Sequence, residues 1–423
     1  MKLKLGRLIV ALQALIGLLN SYLIMKVLGV GAQSDAFLLS TMIIFSLYLF
    51  VVMPFEQFVF YYHKANVKGN LCQYLSFQYI MAFMFSIVGL AIYCLAKEPL
   101  IKIYTSNIDL QVDIADLLDV LILGSFLYPL CFVLEKHVSS QGNIILSLAM
   151  ETIPNIGTTV GLILLYSIDN GNVEIVAYIK SLSYIVEILV GFAVIERWAF
   201  KVDIIYFKMA VNKILLTSNK VKLIKTIPSF IMEAILARVL SSFGEGIISI
   251  YYYANRFAVI IKNIITGPAF RRYQNQISAC ISKKNKDDVL NVIKSYVTES
   301  LFAYVPISIV VYYTIPIIFY LIDNKDITEN VIVHIRAMFI VLALSQLVVI
   351  MENALSFILF SLERFKAMSI NYLISVVSFS VYTLFIIKFD FHYVAISISI
   401  LIYYISMIIY YMAYFSYEKN RFL

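Results

Sequence analysis

Apolar runs of roughly 18 to 25 residues recur along the whole chain, and they constrain its fold more than any other feature. A run of this length matches the hydrocarbon core of a bilayer, where a backbone segment must satisfy its own hydrogen bonds. Hydrophobic residues make up 61% of the sequence and charged residues 14%, which is too little charge for a water-facing surface. The sequence therefore predicts an all-α polytopic membrane protein.

We predict about 12 spanning helices, in two pseudo-symmetric six-helix lobes formed by residues 1–215 and 216–423. The first apolar run has no signal-peptide cleavage pattern, so we expect it to be retained as a helix. We expect polar connections of roughly 20 residues at 97–116, 197–225 and 271–288. The expected span centres are Ile16, Tyr48, Met84, Ile122, Asn155, Ile185, Met232, Phe257, Pro306, Gln346, Ser378 and Ile405.

The Lys and Arg residues gather in the even-numbered connections and at both termini, whereas the odd-numbered connections carry carboxylates such as Asp109, Asp113 and Asp116. Because cations are retained on the cytoplasmic side of a membrane, both termini are predicted to be cytoplasmic. The net charge of +7 is thus a topology signal, and it does not indicate a nucleic-acid partner.

An internal repeat supports the two lobes. The segments "IMKVLGVGAQSDAF" (24–37) and "LARVLSSFGEGI" (236–247) each place a cation before Val-Leu and a Gly-x-Gly turn. Six predicted helices separate the two segments, so the lobes are expected to be parallel repeats. Transporters built in this way bind their substrate between the repeats.

The helix that follows the second Gly-x-Gly turn carries unexpected charge. Arg256 lies about 15 Å along it, near the centre of the bilayer, where an arginine costs about 2.5–3.5 kcal/mol. One face of this helix is polar, and its members are Tyr252, Asn255, Arg256, Val259, Lys262, Asn263 and Thr266. Two interpretations stay open: a buried pair between Arg256 and a carboxylate, or an anion site in a water-filled cavity.

Other polar residues are expected at similar depth: Asn20, Glu187, Glu233 and Arg238. Asp35 opens the second helix, where a capping role and a functional role are equally open. Solvated or interface roles are expected for the carboxylates nearer the cytoplasmic ends, which are Glu56, Glu135, Glu151 and Glu299. The roles of Arg336 and Glu352 are left undecided.

No motif indicates catalysis or a cofactor. The four cysteines are dispersed, without a Cys-x-x-Cys pair, so neither a disulfide framework nor a zinc site is expected. The sequence has no phosphate-binding Gly-rich loop, no Gly-x-Ser-x-Gly and no His-Glu-x-x-His. We therefore expect neither an enzyme nor a metal or cofactor site.

Three segments resemble a known family: "LGVGAQSDAFLL" (28–39), "YYYANRF" (251–257) and "SSQGNIILSLAMETIPNIGTTVGLILL" (139–165). They are similar to the lipid II flippase (MVIN-like) family, and more broadly to polysaccharide exporters of the multidrug/oligosaccharidyl-lipid/polysaccharide (MOP) superfamily. The resemblance implies a flippase of the bacterial cytoplasmic membrane, in which two lobes rock around a cationic cavity that binds a diphosphate. Asp35 and Arg256 match charged positions of the family.

The chain departs from the lipid II branch at three places. Asn20 stands where that branch has an arginine, "SLYLF" (46–50) carries no cation, and about 12 spans are predicted where the branch has about 14. These differences favour another polyprenyl-diphosphate-linked glycan, such as an O-antigen, capsule or exopolysaccharide unit. Membrane lipids, and other polysaccharide-assembly proteins, are the further partners that the resemblance implies.

The resulting hypothesis is export by alternating access. Arg256, with Lys262 and Arg238, holds the diphosphate, while Asn20, Asn255, Asn263 and Tyr252 contact sugar. Asp35, Glu187 or Glu233 gates the cavity or takes up a coupling ion. Alternatives are a lipid II flippase and a cation-coupled multidrug antiporter of the same superfamily. A membrane glycan polymerase is less favoured, because the outer connections are short.

Overall fold

The computed structural model describes residues 2–55, 58–168, 172–195, 201–211, 216–282, 286–322, 327–362, 364–389 and 391–417. Over these residues it contains fourteen α-helices and two short 3-10 helices, Met53–Phe55 and Tyr393–Ala395, and no β-strand. The all-α prediction is confirmed. The α-helices are α1 Lys2–Leu28, α2 Ala32–Val52, α3 Phe58–Val67, α4 Leu71–Tyr104, α5 Ile108–Ser140, α6 Ile144–Ser167, α7 Glu174–Val194, α8 Ile204–Ala210, α9 Leu216–Ser242, α10 Ile247–Ser282, α11 Lys286–Ile322, α12 Glu329–Ser361, α13 Phe365–Lys388 and α14 Ile396–Tyr417.

Eight helices within the described residues are long and apolar enough to cross a membrane: α4 to α7 and α11 to α14. The chain is therefore a multi-span membrane protein. The predicted span centres lie one by one in α1, α2, α4–α7 and α9–α14. That all twelve cross the bilayer, with cytoplasmic termini, stays a prediction.

The three long polar connections are largely helical where the structure describes them. Helix α4 runs to Tyr104 and α5 starts at Ile108, where the Asn107 side chain accepts hydrogen bonds from the backbone N–H groups of Asp109 and Leu110. Helix α8 occupies part of the second connection, and α10 continues to Ser282 in the third. Hydropathy marks where a helix is apolar, whereas the backbone continues the helix into polar surroundings.

The chain divides into two compact units, Met1–Leu28 with Ala32–Thr226, and Gly29–Gly31 with Ile227–Leu423. The predicted lobe boundary between residues 215 and 216 stays a prediction.

Two glycines one turn apart allow α6 and α7 of the first unit to pack closely. A Cβ added to Gly157 would lie 2.6 Å from Ser183 Cβ, and one added to Gly161 would lie 2.9 Å from Val176 Cα. Gly-x-x-x-Gly is a spacing that brings the backbones of membrane helices together. Next to this contact, the Ser181 hydroxyl of α7 donates to the Val120 carbonyl of α5 at 3.0 Å.

A separate aromatic core joins α3, α4, α5 and α8. The Tyr74 hydroxyl donates to the Phe58 carbonyl at 2.9 Å, and the Tyr79 hydroxyl lies 2.8 Å from His137 Nδ1. Phe207 of α8 packs edge-on against Phe77, with ring centroids 5.1 Å apart. Burial in this core raises the pKa of the Tyr206 hydroxyl of α8.

In the second unit the two predicted Gly-x-Gly turns approach each other. Gly29, Gly244 and Gly246 have φ angles of 64°, 121° and 80°, a region that favours glycine. A Cβ on Gly246 would lie 2.7 Å from Val30 Cγ1. The buried Tyr253 hydroxyl donates to the Gly29 carbonyl at 2.8 Å. These contacts explain why the segment Gly29–Gly31 belongs to the second unit.

Candidate functional site

The predicted polar face lies on one uninterrupted helix of the second unit, α10. Within it, Tyr253, Ala254, Phe257, Ala258 and Ile261 are buried in the unit. By contrast, the strip of Tyr252, Asn255, Arg256, Val259, Lys262 and Asn263 is half-buried or exposed, and only Thr266 at its end is buried. The helix therefore turns its apolar face into the core of the unit and leaves the polar face outside that core.

Arg256 is half-buried near the centre of this polar face. Its Nε atom is shielded from solvent and has no hydrogen-bond partner among the described residues. No described carboxylate lies within salt-bridge distance of it. The interpretation as a buried ion pair thus has no described partner. A half-buried guanidinium with an unused Nε–H donor is a favourable site for an anion, because charged hydrogen bonds are the strongest ones available to it.

The other two predicted ligands of the diphosphate lie on α10 and on the preceding helix, α9. Lys262 is half-buried on α10, six residues after Arg256. Arg238 is exposed near the end of α9, and its backbone carbonyl accepts a hydrogen bond from the Ser241 hydroxyl at 2.8 Å. Glu233 is half-buried on α9, close enough to Tyr251 and Tyr404 to act on both electrostatically.

A second arginine of this unit was left undecided by the sequence. The Arg336 guanidinium of α12 lies over the Tyr312 ring of α11, 4.2 Å from its centroid. Its Nε atom is also buried without a hydrogen-bond partner among the described residues. The cation–π contact stabilises the charge in place of a carboxylate. Only the packing of α11 against α12 reveals this partner, since the two residues are far apart in the sequence.

In the first unit, Asn20 binds a neighbouring helix. It is 7% exposed; its Nδ2 donates to the Asn155 carbonyl at 3.0 Å, and its Oδ1 accepts from the Thr159 hydroxyl at 2.6 Å. These bonds join α1 to α6. Hydrogen bonds between polar side chains and neighbouring helices are one of the interactions that hold membrane helices together. The predicted sugar contact of Asn20 stays a prediction. Asp35 is 1% exposed in the first turn of α2, and its gating role stays a prediction as well.

The carboxylates near the ends of α5, α6 and α7 have unequal environments. Glu135 of α5 is 8% exposed and Glu187 of α7 is 1% exposed, so Glu135 is not solvated, and the interface role expected for it stays a prediction. The approach of α7 to α5 buries both, which a single sequence does not reveal. Glu151 and Glu299 are exposed as expected, and Glu56 lies outside the described residues.

Three tyrosines adjoin this carboxyl pair. Tyr48 and Tyr128 stack with ring centroids 4.2 Å apart, and Tyr184 meets both edge-on at 6.3 and 6.0 Å. Gly124 leaves room for the Tyr184 ring, because a Cβ there would lie 2.8 Å from it. Tyr128 is close enough to Glu135, Glu151 and Glu187 to act on all three electrostatically. The three rings come from three helices, α2, α5 and α7.

No protein-family model matches the chain. No curated protein matches it in sequence. Solved structures do match. The lipid II flippase MurJ in an inward closed conformation superposes with a TM-score of 0.77 at 15% identity, covering 97% of this chain and 87% of that one. An inward-facing multidrug resistance MATE transporter of the MOP superfamily gives 0.75 at 15% identity, covering 96% of each chain.

A third match is a MOP superfamily transporter from Pyrococcus furiosus, described as having a binding pocket of reversed polarity. Its TM-score is 0.64 at 15% identity, with 99% of this chain and 95% of that one covered. The chain therefore shares its fold with these proteins. At these identities the likeness establishes the fold and leaves substrate and coupling ion open.

Three charged residues have a buried polar atom without a hydrogen-bond partner among the described residues and lie in different units: Glu187 in the first, and Arg256 and Arg336 in the second. Glu352 adds a buried carboxylate in the second unit, 5% exposed and near Tyr372, Tyr404 and Tyr411. Sequence reasoning found Arg256 and Glu187 from their depth in apolar helices. It missed Glu135 because a position near a helix end gives no sign of burial.

Proposed function

We propose that the chain is a flippase that moves a polyprenyl-diphosphate-linked oligosaccharide, such as an O-antigen, capsule or exopolysaccharide unit, from the inner to the outer leaflet of the bacterial cytoplasmic membrane. The observation that carries the proposal is Arg256, a cation about two and a half turns into α10, in the predicted eighth span, with an Nε–H that is shielded from solvent and has no hydrogen-bond partner among the described residues. Such a residue is expensive in a bilayer and is retained where it has a function. The MOP fold, shared with a lipid II flippase, supplies the class of transporter.

In the proposed cycle the diphosphate binds to the polar face of α10. Arg256 donates charge-assisted hydrogen bonds to it, with Lys262 and Arg238 adding positive charge. Asn255, Asn263 and Tyr252 lie on the same face and offer hydrogen bonds to the sugars. The two lobes then alternate access between the leaflets, and the polyprenyl chain stays among the membrane lipids throughout.

Removing Arg256 tests this role directly. A charge-assisted hydrogen bond contributes roughly 1.5–3 kcal/mol, so Arg256→Ala is expected to weaken diphosphate binding by roughly 10- to 150-fold. The readout is glycan export in cells, together with a leaflet-accessibility assay on the lipid-linked unit. The matched control is Arg364→Ala, at an exposed arginine that begins α13. Normal export by Arg256→Ala at normal protein level would refute the assignment.

Two alternatives have specific support. The superposition on MurJ favours lipid II as cargo, and its accumulation in a depletion strain would replace the glycan assignment. The MATE neighbours and the buried carboxyl pair favour a cation-coupled multidrug antiporter. Drug susceptibility of a deletion strain separates that candidate, since a glycan flippase leaves it unchanged. A glycan polymerase is disfavoured, because the predicted outer connections are short. The leaflet-accessibility assay separates the two, since a polymerase mutant passes single lipid-linked units to the outer leaflet and a flippase mutant retains them inside.

A further inference from the structure

Two histidines meet at one end of the second unit, although they are far apart in the sequence. His334 lies in the second turn of α12, and His392 directly precedes the 3-10 helix Tyr393–Ala395. Their imidazole rings are stacked, with centroids 4.8 Å apart and planes inclined by 16°. The Tyr393 ring lies against both, 5.1 Å from the ring of His334 and 4.2 Å from that of His392. The proposed transport mechanism uses neither histidine.

The contacts of His392 require a neutral imidazole. Its Nδ1 atom accepts a hydrogen bond from the Val394 backbone N–H at 3.4 Å, which caps the 3-10 helix. An imidazolium carries a proton on both nitrogens and has no acceptor left, so protonation removes this cap. The His392 side chain is exposed, and protons therefore reach it directly from water.

A charge on the histidine pair has no described counter-ion. No carboxylate among the described residues lies within salt-bridge distance of His334 or His392. Two imidazolium ions with ring centroids 4.8 Å apart repel each other. An ordinary histidine titrates at about pH 6.5, so mild acid is enough to set this repulsion against the stacking of the rings.

The histidine pair also supports the turn between α9 and α10. The Tyr393 ring meets the Phe243 ring edge-on, with centroids 6.3 Å apart. Phe243 directly precedes the Gly-x-Gly turn, whose two glycines have positive φ angles. Helix α10, which carries Arg256, starts directly after this turn. A displacement of His392 and Tyr393 therefore removes packing from the turn that positions the start of α10.

We propose that His334 and His392 form a pH-sensitive contact of the second unit, which is closed while both rings are neutral and opens when both bind a proton. Opening separates the two rings, frees the Val394 N–H and removes the support of Tyr393 from the α9–α10 turn. Each protonation forms one N–H bond with a proton from water, and no electrons are exchanged. An effect of this contact on transport rests on the proposed function, whereas the contact itself does not.

Other titratable or charged groups lie on the elements around the pair, and each is a possible contributor to the pH dependence. The nearest along each element are Tyr393 of the 3-10 helix, Arg238 of α9, Glu245 of the α9–α10 turn, Glu329 and Arg336 of α12, Lys388 at the end of α13 and Tyr403 of α14. The experiments therefore compare histidine variants with a variant of the exposed carboxylate in the adjoining turn.

Proton uptake by the pair can be followed on the purified protein by NMR of ¹³C-labelled histidine, because the chain has four histidines. Between about pH 8 and about pH 5, the signals of His334 and His392 are expected to move in two separate steps. Repulsion across 4.8 Å in water weakens the binding of the second proton by at least about fourfold. His334→Phe keeps a ring in the stack without a charge, and should leave His392 with a single step.

Opening of the contact can be measured by amide hydrogen exchange, corrected for the intrinsic pH dependence of exchange. In the wild-type protein the Val394 amide should lose protection several-fold between about pH 8 and about pH 5. His392→Asn supplies a side chain that accepts the same bond at every pH, and should keep Val394 protected. The control is Glu245→Gln, at an exposed position of the turn, which should behave as the wild type does.

The outcomes separate this contact from the flippase assignment, because neither measurement uses a substrate. Unchanged protection of Val394 in the wild-type protein overturns the proposal, and so does an equal loss in the wild type and in His392→Asn. A titration of His392 that is the same in the wild type and in His334→Phe also overturns it. Gel filtration of each detergent-purified variant establishes that it is folded, and the wild-type exchange data keep the test decisive if a variant aggregates.

Discussion

Replacing Gly161 by Ala tests the backbone contact between α6 and α7 of the first unit. The added Cβ would lie 2.9 Å from Val176 Cα, against an ordinary carbon–carbon separation of about 3.5–4.0 Å. Val176 Cα is a backbone atom, so no rotamer change relieves the overlap, and α6 and α7 must separate by about 0.6–1.1 Å. Overpacking of this kind costs about 1–3 kcal/mol. Gly157→Ala, with a 2.6 Å approach to Ser183 Cβ, is expected to cost at least as much.

The assay is thermal unfolding in detergent, followed with a thiol-reactive dye. The dye reports on the fully buried Cys131, which reacts only when the first unit opens, in a protein whose Cys72, Cys94 and Cys280 have been replaced by Ser. A unit of this size loses about 2–4 °C of melting temperature per kcal/mol, so Gly161→Ala should melt several degrees lower. Gly89→Ala is the control, since its Cβ would meet only a Val51 methyl group at 3.2 Å. Equal melting temperatures for Gly161→Ala and Gly89→Ala would show that the interface relaxes, and would refute the reasoning.

Three smaller changes test other contacts. Tyr253→Phe removes the hydrogen bond to the Gly29 carbonyl and should destabilise the protein by about 0.5–1.5 kcal/mol in the same melting assay. Tyr252→Phe, at a half-buried position, should leave the melting temperature unchanged. Asn20→Ala breaks both bonds to α6 and should lower the melting temperature by more than Asn255→Ala does; equal values would argue against the packing role. Lys97→Met removes the 2.6 Å ion pair with Asp119. Because solvent screens a partly exposed ion pair, the substitution should change stability by under about 1 kcal/mol. A larger loss would contradict this screening.

Helical periodicity predicted the polar face of α10 well, because the face depends only on residue spacing along one helix. The predicted Gly-x-Gly turns also appear as positive φ angles at Gly29, Gly244 and Gly246. Two kinds of feature were missed. Helices α3 and α8 are short and lie outside any long apolar run. The burial of Glu135 and the stacking of Arg336 on Tyr312 depend on which helices become neighbours, and a single sequence does not specify those pairs.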